Sequence, residues 1–196
     1  MRLYTVFKGL MISAFLAISA NASAQNVAVK TNLLYDAFAS PNIGAELGVA
    51  PKWTVELSGN FNNWSINNHL WKHWFVQPEV RYWLCERFGG HFFAAHAIAG
   101  EFNFGNISNS FSMLGSDFSG ITDKRYQGWG AGLGVGYGYS WILAKHWNVE
   151  AEIALGWIYT KYDVYPCRNC GRKIATDRSH NYFGPTKAAI NLIYTF

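Results

Sequence analysis

The sequence predicts an all-β protein, an eight-stranded antiparallel up-and-down transmembrane β-barrel. Three observations carry this expectation. Apolar residues recur with period two in eight separate stretches, the spacing of a strand rather than a helix. Only 14% of residues are charged while 17% are aromatic; soluble domains carry about a quarter charged residues, so much of this surface is suited to something other than water. Finally, short turns and longer polar loops alternate between an even number of strands, the layout of outer-membrane barrels.

The chain of 196 residues suits one domain. Its start reads as a secretory signal peptide: Arg2 and Lys8, an apolar run from Leu10 to Ala20, then Ala22-Ser23-Ala24 before Gln25. We therefore expect residues 1–24 to be a leader and 25–196 to be the barrel domain. No Cys follows the expected cut, so a lipid anchor is not suggested. The leader holds two of the 16 Lys and Arg and none of the 12 Asp and Glu, so the formal charge falls from +4 to +2. Such mild charge without dense Lys/Arg clusters argues against nucleic acid as a partner. No later stretch is apolar enough for a membrane helix.

The strands follow in order. Val27–Leu33 alternates, then Ile43–Val49, where Gly and Glu fill the even places. Trp53–Phe61 is third. Trp74–Leu84 is fourth, with Trp74, Val76, Pro78, Val80 and Tyr82 on one face and Gln77, Glu79 and Arg81 on the other. His91–Phe102 is fifth, and its phase is not readable. In the sixth, Gly128-Trp129-Gly130-Ala131-Gly132-Leu133-Gly134-Val135-Gly136-Tyr137-Gly138, glycine takes every second place. Trp147–Tyr159 and the terminal run Ala188–Phe196 complete the set. No comparable helical pattern is present. Short turns are expected at 50–52, 85–90 and 144–146, a brief connection at 38–42, and long polar loops at 62–73, 105–127 and 161–184. Pro78 removes a ladder donor in mid-strand, and a local bulge is expected there.

Alternation alone does not say which face is outside; an aromatic-rich soluble β-sandwich alternates too. The sixth strand decides by size. The interior of an eight-stranded barrel is only wide enough for side chains to fill, so its Trp and Tyr rings belong outside and its glycines inside. Ring positions agree with a bilayer. Trp53, Tyr82, Trp141, Trp147 and Tyr194 lie toward the short turns; Tyr35, Trp74, Trp129, Trp157 and Tyr159 lie toward the long loops.

The polar face then lines the lumen: Lys30, Asn32, Glu46, Glu56, Gln77, Glu79, Arg81, Glu150, Glu152 and Lys187. Buried charges must pair, so an ion-pair network is expected, with Lys30, Arg81 and Lys187 answering Glu46, Glu56, Glu79, Glu150 and Glu152. Carboxylates outnumber cations, so protonation or hydration of some Glu is expected. At this size a closed lumen is expected over a narrow ion path. His96 is expected to be a satisfied interior group.

The sharpest local motif is Cys167-Arg168-Asn169-Cys170 in the last long loop. A loop-stapling disulfide is the first reading, unpaired thiols the second, and half a zinc site completed by His180 the third. Cys85 lies at the opposite end, beyond disulfide reach, and is expected to be free. Lipid-modifying chemistry would need Ser and His near the outer rim. His69, His73, His180, Ser65, Ser179 and Asp177 fall there without a recognisable spacing, so no catalytic residue, cofactor or metal is assigned. Trp64, Trp71 and Trp74 are expected at headgroup level rather than stacking on a ligand.

The chain ends INLIYTF, placing Ile190, Leu192, Tyr194 and Phe196 at alternate positions. This resembles the C-terminal signal by which outer-membrane barrels engage their assembly machinery. The stretches VAVKTNLLYDA, PNIGAELGVAPKWTVELSGN and VQPEVRYWLCERFGGHFF resemble a Bacteroidota family of small barrels, domain of unknown function 3575, over essentially the whole mature chain. The overall shape is similar to the transmembrane domain of outer-membrane protein A, whose lumen is closed by ion pairs; no peptidoglycan-binding domain is expected here. The resemblance implies the cell outer membrane as location, with membrane lipid and the assembly machinery as partners. Some family members are encoded near fimbrial or adhesin genes, which admits a surface or fimbrial protein as a further partner. The function expected is non-catalytic, structural or surface-anchoring. The alternatives are an outer-membrane enzyme hydrolysing or acylating lipid A or phospholipid, then a narrow channel.

Overall fold

A computed structural model describes residues 27–66, 69–105, 112–113, 116–117, 124–166 and 171–196. The leader expected at 1–24 and the Cys167–Cys170 motif lie outside the described residues. Among the described residues there are ten strands and one short helix: β1 (Val27–Asn32), α1 (Leu33–Ala37), β2 (Asn42–Ala50), β3 (Trp53–Ile66), β4 (His69–Trp83), β5 (Gly90–Gly105), β6 (Ser112–Met113), β7 (Ser116–Asp117), β8 (Arg125–Ile142), β9 (Trp147–Tyr165) and β10 (Ala175–Thr195). β6 and β7 form a separate two-stranded pair. The other eight are antiparallel and up-and-down, in the order β1-β10-β9-β8-β5-β4-β3-β2. β1 pairs with β2 on one side and β10 on the other, so the sheet closes on itself. No helix among the described residues is long and apolar enough to cross a membrane.

The two faces divide as residue size predicts. On β8, Trp129, Leu133, Val135, Tyr137 and Trp141 are exposed on the outer surface. The intervening glycines face inward against other side chains. A Cβ at Gly134 would sit 2.7 Å from the His96 ring, and one at Gly138 only 2.3 Å from Cζ of Phe92. The bare inner face of β8 is therefore the space those rings occupy. The phase of β5 is now fixed as well: Phe92, Ala94 and His96 point in, while His91, Phe93 and Ala95 point out.

Several expectations are corrected. The long loops at 62–73 and 161–184 are mostly strand: β3 and β4 continue as a paired hairpin to Ile66 and His69, and β9 and β10 to Tyr165 and Ala175. The pairing persists where the alternation fades, because Arg178, Ser179, His180 and Asn181 are exposed whichever way they point. Both faces there meet water, so no hydrophobic period marks the strand. Pro78 produces no bulge. Pairing with β5 lapses at Gln77 and Pro78, but Val76↔Ala99 and Glu79↔His96 keep one register. A shift lies instead between Pro185 and Lys187, where Thr186 meets the His96 ring at 3.1 Å.

A short helix, α1, also appears where no helical pattern was visible. Its N-cap is Asn32, whose Oδ1 accepts from Leu34 N at 3.1 Å, a standard way to satisfy a free amide of the first turn. Asn42 accepts from Asn32 N and donates to Asp36, and Thr31 also donates to Asp36. The clasp moves Tyr35 out of the expected ring girdle. It lines the space inside the barrel beside Lys30, Asn60 and Lys187. Five residues are too few to carry periodicity, and the clasp is built from contacts up to 11 residues apart.

Candidate functional site: a lumen closed by ions and rings

All eight charged residues expected inside are buried on the inner face: Lys30 on β1, Glu46 on β2, Glu56 on β3, Glu79 and Arg81 on β4, Glu150 and Glu152 on β9, Lys187 on β10. Strand alternation puts each of them there, and the closed ring brings them together. Arg81 is the hub. Its Nε meets Glu79 at 2.5 Å, Nη1 meets Glu150 at 2.8 Å and Glu46 at 3.1 Å, and Nη2 meets Glu56 and Glu152 at 2.7 Å each. One guanidinium thus touches all five carboxylates, which its planar fork of five donors permits.

The lysines complete the net. Lys30 pairs with Glu46 and, at 3.0 Å, with Glu56. Lys187 reaches Glu79 at 2.7 Å and Glu152 at 3.0 Å. Asn191 donates to Glu150 at 2.7 Å. Three cations face five carboxylates, an excess of two negative charges. Oε1 of Glu46 and Oε1 of Glu152 are buried with no hydrogen-bond partner, which locates where that excess is least answered. His96 Nδ1 lies 3.7 Å from Glu79, too long for a hydrogen bond.

Sequence reasoning missed the second closure. Below the ions, toward the short turns, the inner face becomes aromatic. The Arg81 guanidinium lies over the Phe92 ring at 4.5 Å, and Trp83 packs on Phe92 at 4.7 Å. Both rings are fully buried. Trp83 Nε1 donates to Thr54 Oγ1 at 2.9 Å. The turn after β4 folds Phe88 into the barrel end against Ala28 and Ile193. Its backbone is left-handed, at φ 63°, a conformation costly for a bulky residue. Ser140 and Asn148 hold it by donating to its carbonyl at 2.9 and 2.7 Å. Trp83 was legible, since it continues the Gln77-Glu79-Arg81 face; Phe88 lies in a turn and carries no period.

Trp83→Phe is expected to lower stability by about 1 kcal/mol, because Thr54 loses its donor. Trp83→Ala should cost about 3–5 kcal/mol through the cavity it leaves. Urea unfolding followed by the remaining Trp fluorescence measures both.

Above the ions the space narrows to a cavity of about 30 Å³, lined by Lys30, Tyr35, Glu56, Asn60, Gln77 and Lys187. That suits one or two waters, and the unpartnered Gln77 Nε2 and Asn60 Oδ1 are the polar atoms to hold them.

Among the described residues, His73 is not brought together with Asp177, Ser179 or His180. His73 is buried on the inner face of β4, while His180 is exposed on β10. β9, β8 and β5 stand between those strands. Asp177 is exposed and pairs with Lys161 at 3.0 Å. The side chains of Trp64, Ser65 and His69 lie outside the described residues. Trp71 and Trp74 separate: Trp71 lies on the inner face, tilted against Phe104 at 4.8 Å, and Trp74 faces outward and donates to Glu101 at 3.1 Å. Among the described residues no group of three or more His, Cys, Asp or Glu is placed to hold a metal ion. Cys85 is a free, exposed thiol.

The profile of the family described as "Protein of unknown function (DUF3575)" matches residues 10–196. This chain belongs to that family. No curated protein and no solved structure matches it. For this family member, the closed lumen and the surface of the barrel are therefore read from its own geometry.

Ile190 and Phe196 of the terminal run are exposed, and Leu192 and Tyr194 are part-exposed on the same outer face of β10. At the other end of β10, Lys173 donates to Asp163 at 2.6 Å. That bond, helped by the Asp177 N–H, holds the Asp163 carboxyl below its usual range.

Proposed function

We infer that this protein is a non-catalytic outer-membrane barrel with a closed lumen, serving as a structural element or as an anchor that presents its outer hairpins to a surface partner. The observation that carries this reading is the ion net around Arg81, which fills the cross-section with eight charged side chains. Membrane insertion is supported by the outer surface: Ile43, Leu57, Val76, Leu133, Val135, Ile153 and Leu155 are exposed together with the rings of Trp53, Trp74, Trp129, Trp141, Trp147 and Trp157. In water such a belt would be an aggregation hazard; in a bilayer it is the lipid face, with indoles at the two interfaces. An assembly-machinery partner is supported by the exposed Ile190 on the last strand and Phe196 just beyond it.

Planar-bilayer recording is the direct test. The purified chain should give no steady conductance, since the ions and the Trp83–Phe92–Phe88 layer close the lumen in series; steady single-channel current overturns the closed-lumen reading. Orientation is tested on intact cells carrying Cys167→Ser and Cys170→Ser. A membrane-impermeant maleimide should leave Cys85 unlabelled until the outer membrane is permeabilised, whereas Lys173→Cys should label at once. Labelling of Cys85 from outside would reverse the topology.

A further inference from the structure

We propose that the outer wall across β4, β5, β8 and β9 is a binding site for one phosphorylated acyl-glycolipid of the outer leaflet, with an acyl chain in a trough and its phosphosugar above. The proposal rests on the membrane reading. Most of the lipid face is built of Leu, Val, Ile and rings, but here Ala97, Ala99 and Ala131 stand together, Ala99 paired with Ala131. Taller neighbours flank them: Val76 and Pro78 on one side, Leu133 and Trp157 on the other. The result is an apolar trough of about 510 Å³ in the wall. It lies where the β4–β5 pairing lapses at Pro78.

Trp129 ends the trough and also lines a second recess of about 550 Å³ toward the long hairpins, to which the inner-face residues Asn62, His73 and Phe102 contribute as well. That recess offers the Trp74 and Trp129 indoles, the amides of Asn63, Asn103 and Gln127, and Lys72. Indole faces and side-chain amides suit a sugar, and a lysine suits a phosphate. Of the other charges there, Lys173 pairs with Asp163, while Glu101 accepts the neutral Trp74 N–H and keeps its negative charge. Lys72 has no ion pair to another described residue. A second copy of the chain is a poorer occupant. An isologous contact would set the trough against itself, and two concave surfaces leave a void where packing is needed.

The test uses the mature chain in detergent micelles, with native mass spectrometry after adding bisphosphorylated lipid A, its dephosphorylated form, or phosphatidylglycerol. One lipid A should be retained per chain, at least tenfold more tightly than either of the others. Ala97→Leu with Ala131→Leu fills the trough and should weaken retention tenfold or more. Lys72→Ala should remove the preference for the phosphorylated form. Equal retention of phosphatidylglycerol, indifference to the filled trough, or a dimer abolished by filling it overturns the site. Flotation with membranes and heat-modifiable gel migration are scored on the same samples. If the parent chain fails these, the membrane reading falls and takes the site with it; if it passes and lipid A is not retained, the site alone falls.

Discussion

Arg81→Leu is expected to be the most damaging single substitution in the barrel. Arg81 is the one group in contact with Glu46, Glu56, Glu79, Glu150 and Glu152 together. Without it, five carboxylates would face only Lys30 and Lys187 in a space closed to bulk water. Removing one partner of a buried pair costs about 3–5 kcal/mol, since the other charge stays buried and unanswered; here several charges are abandoned at once. The guanidinium also covers the Phe92 ring, so the aromatic layer loses its lid. The expected result is loss of the compact, heat-modifiable form, or a urea midpoint lowered by at least that amount. Glu152→Gln is the matching control. It removes one unit from the uncompensated side while keeping an oxygen toward Arg81 and Lys187, and should change stability by about 1 kcal/mol or less, or raise it. If Glu152→Gln proved as damaging as Arg81→Leu, the charge count would not govern the interior.

Gly138→Val is expected to have the second largest effect. A Cβ there would lie 2.3 Å from Phe92 Cζ and 2.8 Å from the Ala151 carbonyl. The ring could yield, but it is wedged between Arg81 and Trp83; the backbone of β9 cannot yield without disturbing its pairing. Overpacking of this kind costs about 1–3 kcal/mol, and the displaced ring adds the loss of its stacking. A destabilisation of about 3 kcal/mol is therefore expected in urea titration. Phe92→Leu in the same chain should recover part of it, whereas Val135→Ala on the opposite face of β8 should cost little. Absence of rescue would mean that the β9 backbone, rather than the ring, sets the limit.

Much of this molecule is legible in its sequence. Strand alternation assigned every one of the eight interior charges to its face. The glycine row of β8, by its contrast in bulk with the facing rings, said which face was outside. What was not legible has local physical causes. The outer half of the β9–β10 hairpin is wet on both faces, so it reads as polar loop although it is paired strand. The clasp around α1 depends on Asn42 reaching back to Asn32 and Asp36, and five residues carry no helical period. Pro78 read as a bulge, but the register survives a missing donor, and the shift falls at Thr186 instead.

By itself the sequence determined the class of the fold, the inward set Lys30, Glu46, Glu56, Glu79, Arg81, Glu150, Glu152 and Lys187, and an outer face for Trp129, Tyr137 and Trp141. Period-two alternation is a property of each strand alone, so it can be read without knowing the neighbours. Only the tertiary structure decided that Arg81 meets all five carboxylates, that Phe88 seals one end, that Tyr35 turns inward and that Ala97, Ala99 and Ala131 share one trough. The Arg81 contacts and the trough depend on the register between neighbouring strands, which is set by the closed ring of backbone hydrogen bonds, while Phe88 and Tyr35 depend on side-chain contacts in a turn and in a clasp that carry no period.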